Sequence, residues 1–147
     1  MKVSWKSFFI TILQFFSMFL LFLTGPWFSQ KFFLNLLMLL GWGIWIWSFA
    51  IMLWQKSYGL FPEVGQQSVL ISYGPYKLVR HPIYSGLLLL ALGFVLNYFN
   101  FFRGFLFLFL LVSTLLKLNL EEKFLLEHFK NYPSYQKKTK RLIPFVY

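Results

Sequence analysis

The sequence contains no cysteine and no aspartate, and it has only two histidines and four glutamates. Without cysteine, a disulfide framework and a thiolate metal site are both excluded. Two histidines and four glutamates are too few for a dedicated metal cage, so we expect no metal. Charged residues make up 12% of the chain, about half of what a soluble domain carries.

The residues that are present are mostly apolar. Hydrophobic residues make up 59% of the 147 residues, more than so few polar groups could cover in water. The composition therefore predicts a single all-α, polytopic membrane domain spanning residues 1–147. The net charge of +10 could indicate nucleic acid, but basic residues at a membrane surface explain it better, with anionic lipid headgroups as partners.

Four apolar runs predict four transmembrane helices, at about 8–28, 32–54, 82–99 and 101–118. The first run could be a signal peptide, but no small-residue cleavage site follows it. The connection over 55–81 contains glycines and prolines, so it is not one helix. We expect the tail over 119–147 to begin with a helix that leaves the membrane. Pro133 is expected to end this helix.

The second half of the second run is rich in tryptophan and glycine. We interpret the tryptophans as packing residues and interfacial anchors. The two glycines, Gly41 and Gly43, are expected to allow close contact with another helix. The tryptophans are Trp42, Trp45, Trp47 and Trp54.

The distribution of basic residues predicts the topology. With four spans, twelve of the 14 basic residues fall on the side of the two termini, the 55–81 connection and the tail. Only Lys31 and Arg103 fall on the other side. By the positive-inside rule both termini are cytoplasmic, in a bacterial inner membrane or an endomembrane.

Polar chemistry is concentrated in residues 74–86, which read GPYKLVRHPIYSG. The Gly-Pro pair predicts a turn, and Pro82 suits the first position of a helix. Arg80 and His81 then lie at a helix N-terminus, where free backbone N–H groups favour a carboxylate or phosphate. Alternatively, the two basic side chains extend to the lipid headgroups. Tyr76 and Tyr84 add hydroxyl groups and ring faces.

A second candidate residue is Glu122, an acid within an apolar helix stripe. A buried carboxylate needs a partner, and this partner could be Arg80 or a cationic ligand. Glu121 points toward Lys117 and His128, so we interpret it as part of an ordinary surface ion pair. The apolar stripe consists of Leu118, Leu125, Leu126 and Phe129.

Common catalytic signatures are absent. The chain has no GxGxxG or GxxxxGKS loop, which excludes a strand-based nucleotide fold of that type. It also has no HExxH and no GxSxG.

The RHP segment, the paired glutamates and the tail motif together resemble the isoprenylcysteine carboxyl methyltransferase family, to which phospholipid N-methyltransferases are similar. The resemblance covers about residues 70–144. Its motifs are GPYKLVRHPIYSG, an apolar hairpin, Glu121-Glu122, and a closing Tyr132, Tyr135 and Arg141-Leu142-Ile143-Pro144.

The resemblance implies methyl transfer from S-adenosylmethionine to a lipid-like or prenylated substrate from the bilayer. It implies that Glu122 meets the amino-acid end of the cofactor. We expect Arg80 and His81 to be catalytic, with His81 as the candidate base for an amine acceptor. Relatives carry Arg just before the paired glutamates, and here Lys117 would take over its contact with the substrate, without bidentate carboxylate recognition. The other implied cofactor residues are Leu70, Tyr76, His81, Pro82, Ile83 and Tyr84.

The methyl acceptor stays open at this point. A prenylcysteine carboxylate is the first expectation, and a phospholipid amine or a small thiol are alternatives. A non-catalytic membrane interaction protein and a membrane reductase of related architecture are the competing functions. The reductase would need a 2′-phosphate site, for which only the tail lysines offer charge.

Overall fold

The computed structural model describes residues 4–57, 61–63, 65 and 68–147. Lys2, which was counted in the topology prediction, and six residues of the 55–81 connection lie outside the described residues. The described residues form no strand, and three helices, α1, α2 and α4, are long and apolar enough to cross a membrane, while α3 is apolar but shorter. The chain is therefore an all-α polytopic membrane protein. The helices are α1 (Trp5–Leu23), α2 (Phe32–Trp54), α3 (Pro82–Asn97), α4 (Phe101–His128) and α5 (Tyr132–Lys138), with a 3₁₀ turn at Gly74–Lys77.

Two predicted helix ends were wrong, for local reasons. α1 ends at Leu23, not at residue 28, because a Gly-Pro pair follows its cap. α4 continues to His128 without a break, so it joins the predicted fourth span and the helix that follows it. Pro133 does not end that helix but lies in the first turn of α5, where its missing N–H costs nothing. The prediction for α2 matches the structure.

The helices pack as two pairs, α1 with α4 and α2 with α3, and α3 also contacts α4. Gly41 and Gly86 form the closest approach in the α2–α3 pair. A Cβ on Gly41 would lie 2.7 Å from the backbone N of Leu90, and one on Gly86 would lie 2.7 Å from that of Trp45. The expectation for Gly41 is thus confirmed. That for Gly43 was wrong, because a Cβ there would meet nothing within 4 Å.

The α1–α4 contact combines polar groups with an apolar cluster that contains Leu21, Leu106 and Leu110. Four of the five buried residues of α1 are polar, namely Ser7, Thr11, Gln14 and Ser17, and the fifth is Leu21. The Gln14 side-chain amide donates to Thr114 Oγ1 at 3.0 Å. Polar contacts of this kind hold helices together where lipid removes the hydrophobic drive for association.

Arg103 anchors the end of the bundle opposite the RHP segment. Its side chain is fully buried, and its guanidinium donates to Leu21 O at 2.9 Å, Thr24 Oγ1 at 3.0 Å and Phe94 O at 2.7 Å. These groups lie at the C-terminal ends of α1 and α3, and Phe94 O also accepts the N–H of Tyr98 at 3.4 Å. A cation there also complements the helix dipoles. Arg103 is therefore a buried clamp rather than a headgroup contact.

The N-terminus, the 55–81 connection and the tail meet at one end of the bundle, as the charge distribution predicted. Ser4 N donates to Glu63 Oε1 at 3.0 Å. Arg80 N donates to Lys140 O at 2.7 Å. This end gathers the candidate site residues.

Candidate functional site

A cavity of about 350 Å³ opens between the four long helices at the end where the connection and the tail meet. Its volume falls in the range of small-molecule sites. Eight of the nine candidate residues line it. Leu70, Tyr76, Arg80 and His81 come from the connection, and Pro82, Ile83, Tyr84 and Lys117 come from α3 and α4.

Glu122, the ninth candidate, lies behind the cavity wall and is 4% exposed. Arg80 Nε donates to its Oε1 at 2.7 Å, and Arg141 reaches Oε2 at 3.0 Å. His81 Nε2 lies 3.4 Å from Oε1. The expected partnership with Arg80 is confirmed. Three basic side chains thus surround one buried carboxylate, which fixes the positions of Arg80 and His81.

The expectation of free backbone N–H groups was wrong for Arg80 and His81, whose N–H groups both donate to the tail. Arg80 N donates to Lys140 O at 2.7 Å, and His81 N donates to Arg141 O at 3.1 Å. The tail runs parallel to this segment, with a single bridge between Val79 and Lys140. Buried backbone groups pair with one another when a neighbouring strand of chain is available. The N–H groups of Arg80 and His81 are therefore not available to a ligand.

Glu121 faces the cavity, so its interpretation as an ordinary surface acid was wrong. Its Oε2 accepts the Tyr84 hydroxyl at 2.8 Å and lies 3.7 Å from His81 Nδ1. The His81 ring also stacks on Tyr84, with centroids 5.7 Å apart. The sequence carried a usable pattern, because Lys117, Glu121 and Leu125 follow one another at four-residue spacing and so share a helix face.

Two further charged groups lie at the cavity wall. Lys117 is 5% exposed, and its Nζ lies 5.8 Å from the ring centroids of Phe15 and Tyr84. Such placement over aromatic faces stabilises a cation. Glu63 is buried as well, and among the described residues its Oε2 has no hydrogen-bond partner. Sequence reasoning gave Glu63 no role.

Three tyrosines close the cavity on the side of the tail. The Tyr135 hydroxyl donates to Tyr76 O at 2.6 Å, and the Tyr76 hydroxyl donates to Ser48 O at 3.3 Å. The buried Tyr132 hydroxyl has no partner among the described residues. Burial raises the pKa of all three phenols, and nearby glutamates raise the pKa of Tyr76 and Tyr132 further. The hydroxyls therefore stay protonated, and that of Tyr132 can donate to a ligand.

The opposite wall is aromatic. Trp42, Trp45 and Phe49 line the cavity from α2, with Trp45 and Phe49 stacked at 5.2 Å. Trp42 also packs edge-on against Trp45, with centroids 5.9 Å apart, so these two tryptophans pack as expected and line the cavity as well. Trp47 and Trp54 lie on the outer surface, 57% and 84% exposed. The cavity thus has one polar wall and one wall suited to an apolar chain.

The described residues contain no group of three or more histidine, cysteine or acidic side chains that could hold a metal ion.

Comparison with protein families matches residues 30–132 to the family described as phospholipid methyltransferase. The match covers well over half of the chain and includes α2, the connection, α3, α4 and Tyr132. No curated protein matches the chain, and no solved structure matches it.

Proposed function

Because the chain belongs to the phospholipid methyltransferase family and is a membrane methyltransferase, we propose that it transfers a methyl group from S-adenosylmethionine to a lipid-like acceptor. One observation carries the proposal: a single cavity joins the polar wall of His81, Tyr84 and Glu121 to the aromatic wall of α2. A charged donor and an apolar acceptor can both be held there.

The residues present fit the proposed cofactor. S-adenosylmethionine supplies a methyl group already activated by a positively charged sulfur. Glu121 offers a carboxylate on the cavity wall, and the unpartnered Tyr132 hydroxyl offers a donor. Glu122 contributes by holding Arg80 and His81 rather than by reaching the cavity. We assign the remaining contacts to Leu70, Tyr76, Pro82, Ile83 and Tyr84.

For the acceptor, we propose a lipid amine. Glu63 and Glu121 place two carboxylates on the wall, and a cationic headgroup suits them better than an anionic one. The position before the paired glutamates holds no arginine for bidentate carboxylate binding. A prenylcysteine carboxylate is the second candidate, and the observation that favours it is Lys117 on the same wall.

The proposed reaction is a direct displacement without a covalent enzyme intermediate. The protein aligns the acceptor with the methyl group and excludes water, and the aromatic wall contributes to both. An acceptor amine loses a proton on methylation, whereas a carboxylate loses none. His81 and Glu121 are the cavity side chains placed to receive that proton.

The site is further proposed to face the cytoplasm. The end of the bundle that carries it also carries most of the basic residues, as expected for cytoplasmic segments. This orientation gives a soluble cofactor access from the cytosol and an apolar acceptor access from the bilayer.

Binding of S-adenosylhomocysteine to the purified protein tests the cofactor assignment. We expect His81→Ala and Glu122→Ala to weaken binding at least tenfold, and Glu127→Gln, on the exposed part of the same helix, to leave it unchanged. If both site variants bind as wild type does, the assignment fails. The acceptor is decided by base treatment of the methylated product, since an ester label is released and an N-methyl label is not.

A further inference from the structure

Residues 137–147, here called the tail segment, contact the candidate site through their backbone. Its backbone oxygens accept the N–H groups of Arg80 and His81, through Lys140 O and Arg141 O. Leu142 O accepts the Ser85 hydroxyl at 2.6 Å. The positions of Arg80 and His81 therefore depend on where this tail segment lies.

The tail segment combines exposed basic and apolar side chains. Ile143, Phe145 and Val146 are 55%, 89% and 71% exposed. Phe145 has a φ of +65°, a conformation that a bulky residue rarely adopts. Phe145 is therefore an exposed aromatic side chain on a strained backbone. The segment also carries three exposed lysines, Lys137, Lys138 and Lys140.

A bilayer surface matches this combination. Lysines near an anionic leaflet gain about fivefold in affinity each, and aromatic side chains settle at the headgroup level. The tail contacts Ser85, one turn into α3, so it lies beside the beginning of an apolar helix. Headgroups of the host bilayer are thus within reach.

We propose that residues 137–147 dock on the anionic headgroup surface of the surrounding bilayer, and that docking holds Arg80 and His81 in their positions. The docking stands by itself, and its coupling to cofactor binding rests on the proposed function. Substitution of the lysine side chains tests both parts, because it leaves the backbone contacts of the tail intact.

The chain lacks cysteine, so Val146→Cys provides a single labelling site for an environment-sensitive fluorophore. The protein is placed in nanodiscs of phosphatidylcholine with or without phosphatidylglycerol. S-adenosylhomocysteine affinity is measured in the same nanodiscs with the unlabelled protein. The test variant carries Lys137, Lys138 and Lys140 all changed to Gln. The matched control carries Lys56, Lys123 and Lys130 changed to Gln, which are exposed lysines outside the tail.

We expect phosphatidylglycerol to shift the probe emission to the blue and to tighten S-adenosylhomocysteine binding at least fivefold. The tail triple variant should lose both effects, and the control should keep both. The docking is overturned if the probe emission does not change with phosphatidylglycerol. It is also overturned if the two triple variants lose the emission shift to the same extent. Docking without a change in affinity overturns the coupling. If the wild type binds no S-adenosylhomocysteine in either lipid, the coupling and the proposed function fail together, and the probe still decides the docking.

Discussion

Arg80 Nε lies 2.7 Å from Glu122 Oε1, although 42 residues separate them in the chain. The two side chains are 9% and 5% exposed, so this is a buried ion pair between the start of α3 and α4. Arg141 completes the pair from the tail. One carboxylate therefore joins three separate segments, and this carboxylate fixes the polar wall of the cavity.

Glu122→Gln should destabilise the protein strongly, because it leaves Arg80 and Arg141 without a counter-charge. Removing one partner of a buried pair costs about 3–5 kcal/mol. Thermal unfolding in detergent should show a lower midpoint than for wild type. Glu127→Gln removes an exposed acid from the same helix and should leave the midpoint unchanged. Equal midpoints for the two variants would show that the pair has no structural role.

Ala at Gly41 or at Gly86 should disrupt the α2–α3 contact. Each new Cβ would lie 2.7 Å from a backbone nitrogen of the other helix, and such overpacking costs about 1–3 kcal/mol. Gly43→Ala is the control, since it meets open space. Thermal midpoints should fall for the first two variants and not for the third. A uniform response of all three would contradict the close approach.

Arg103→Met should weaken the opposite end of the bundle. It removes the donors of Leu21 O, Thr24 Oγ1 and Phe94 O. Each hydrogen bond from a charged group contributes about 1.5–3 kcal/mol, so we expect poor expression or a much lower unfolding midpoint. Lys31→Met removes an exposed charge near the same end and should be tolerated. If both variants unfold alike, Arg103 is not a clamp.

Trp45→Ala should impair use of the acceptor more than binding of the cofactor. Trp45 forms part of the aromatic cavity wall, whereas Trp47 lies on the outer surface. We expect about a tenfold higher KM for the lipid acceptor and little change in S-adenosylhomocysteine affinity, since burying one such side chain against a ligand is worth about 1.5–3 kcal/mol. Trp47→Ala should match wild type in both measurements. If Trp45→Ala loses affinity for S-adenosylhomocysteine and Trp47→Ala does not, the cofactor site lies at the aromatic wall instead.

The sequence predicted the number and type of the apolar helices, because long hydrophobic runs admit few other structures. It also named Arg80 as one of two possible partners of Glu122, since a buried acid needs a cation. Pro82 marked the start of α3 correctly. These features depend on local composition or on one strong energetic requirement.

Other features depend on how distant segments meet, which local patterns do not show. The tail occupies the N–H groups of Arg80 and His81 because it happens to run parallel to them. Glu121 faces the cavity because the helix face of α4 that carries Lys117, Glu121 and Leu125 lines it. Arg103 is buried because α1 and α3 both end beside it. The family match then named the chemistry that the geometry alone left open.

Transfer of a tritiated methyl group tests the central claim most directly. Membranes containing the wild type, His81→Ala or Glu127→Gln are incubated with labelled S-adenosylmethionine, and the lipid extract is counted. We predict label in the lipid fraction for wild type and Glu127→Gln, and at least a hundredfold less for His81→Ala, as is typical when a proton-transfer group is lost. Label no higher than in membranes without the protein, or equal labelling by all three proteins, would contradict the account.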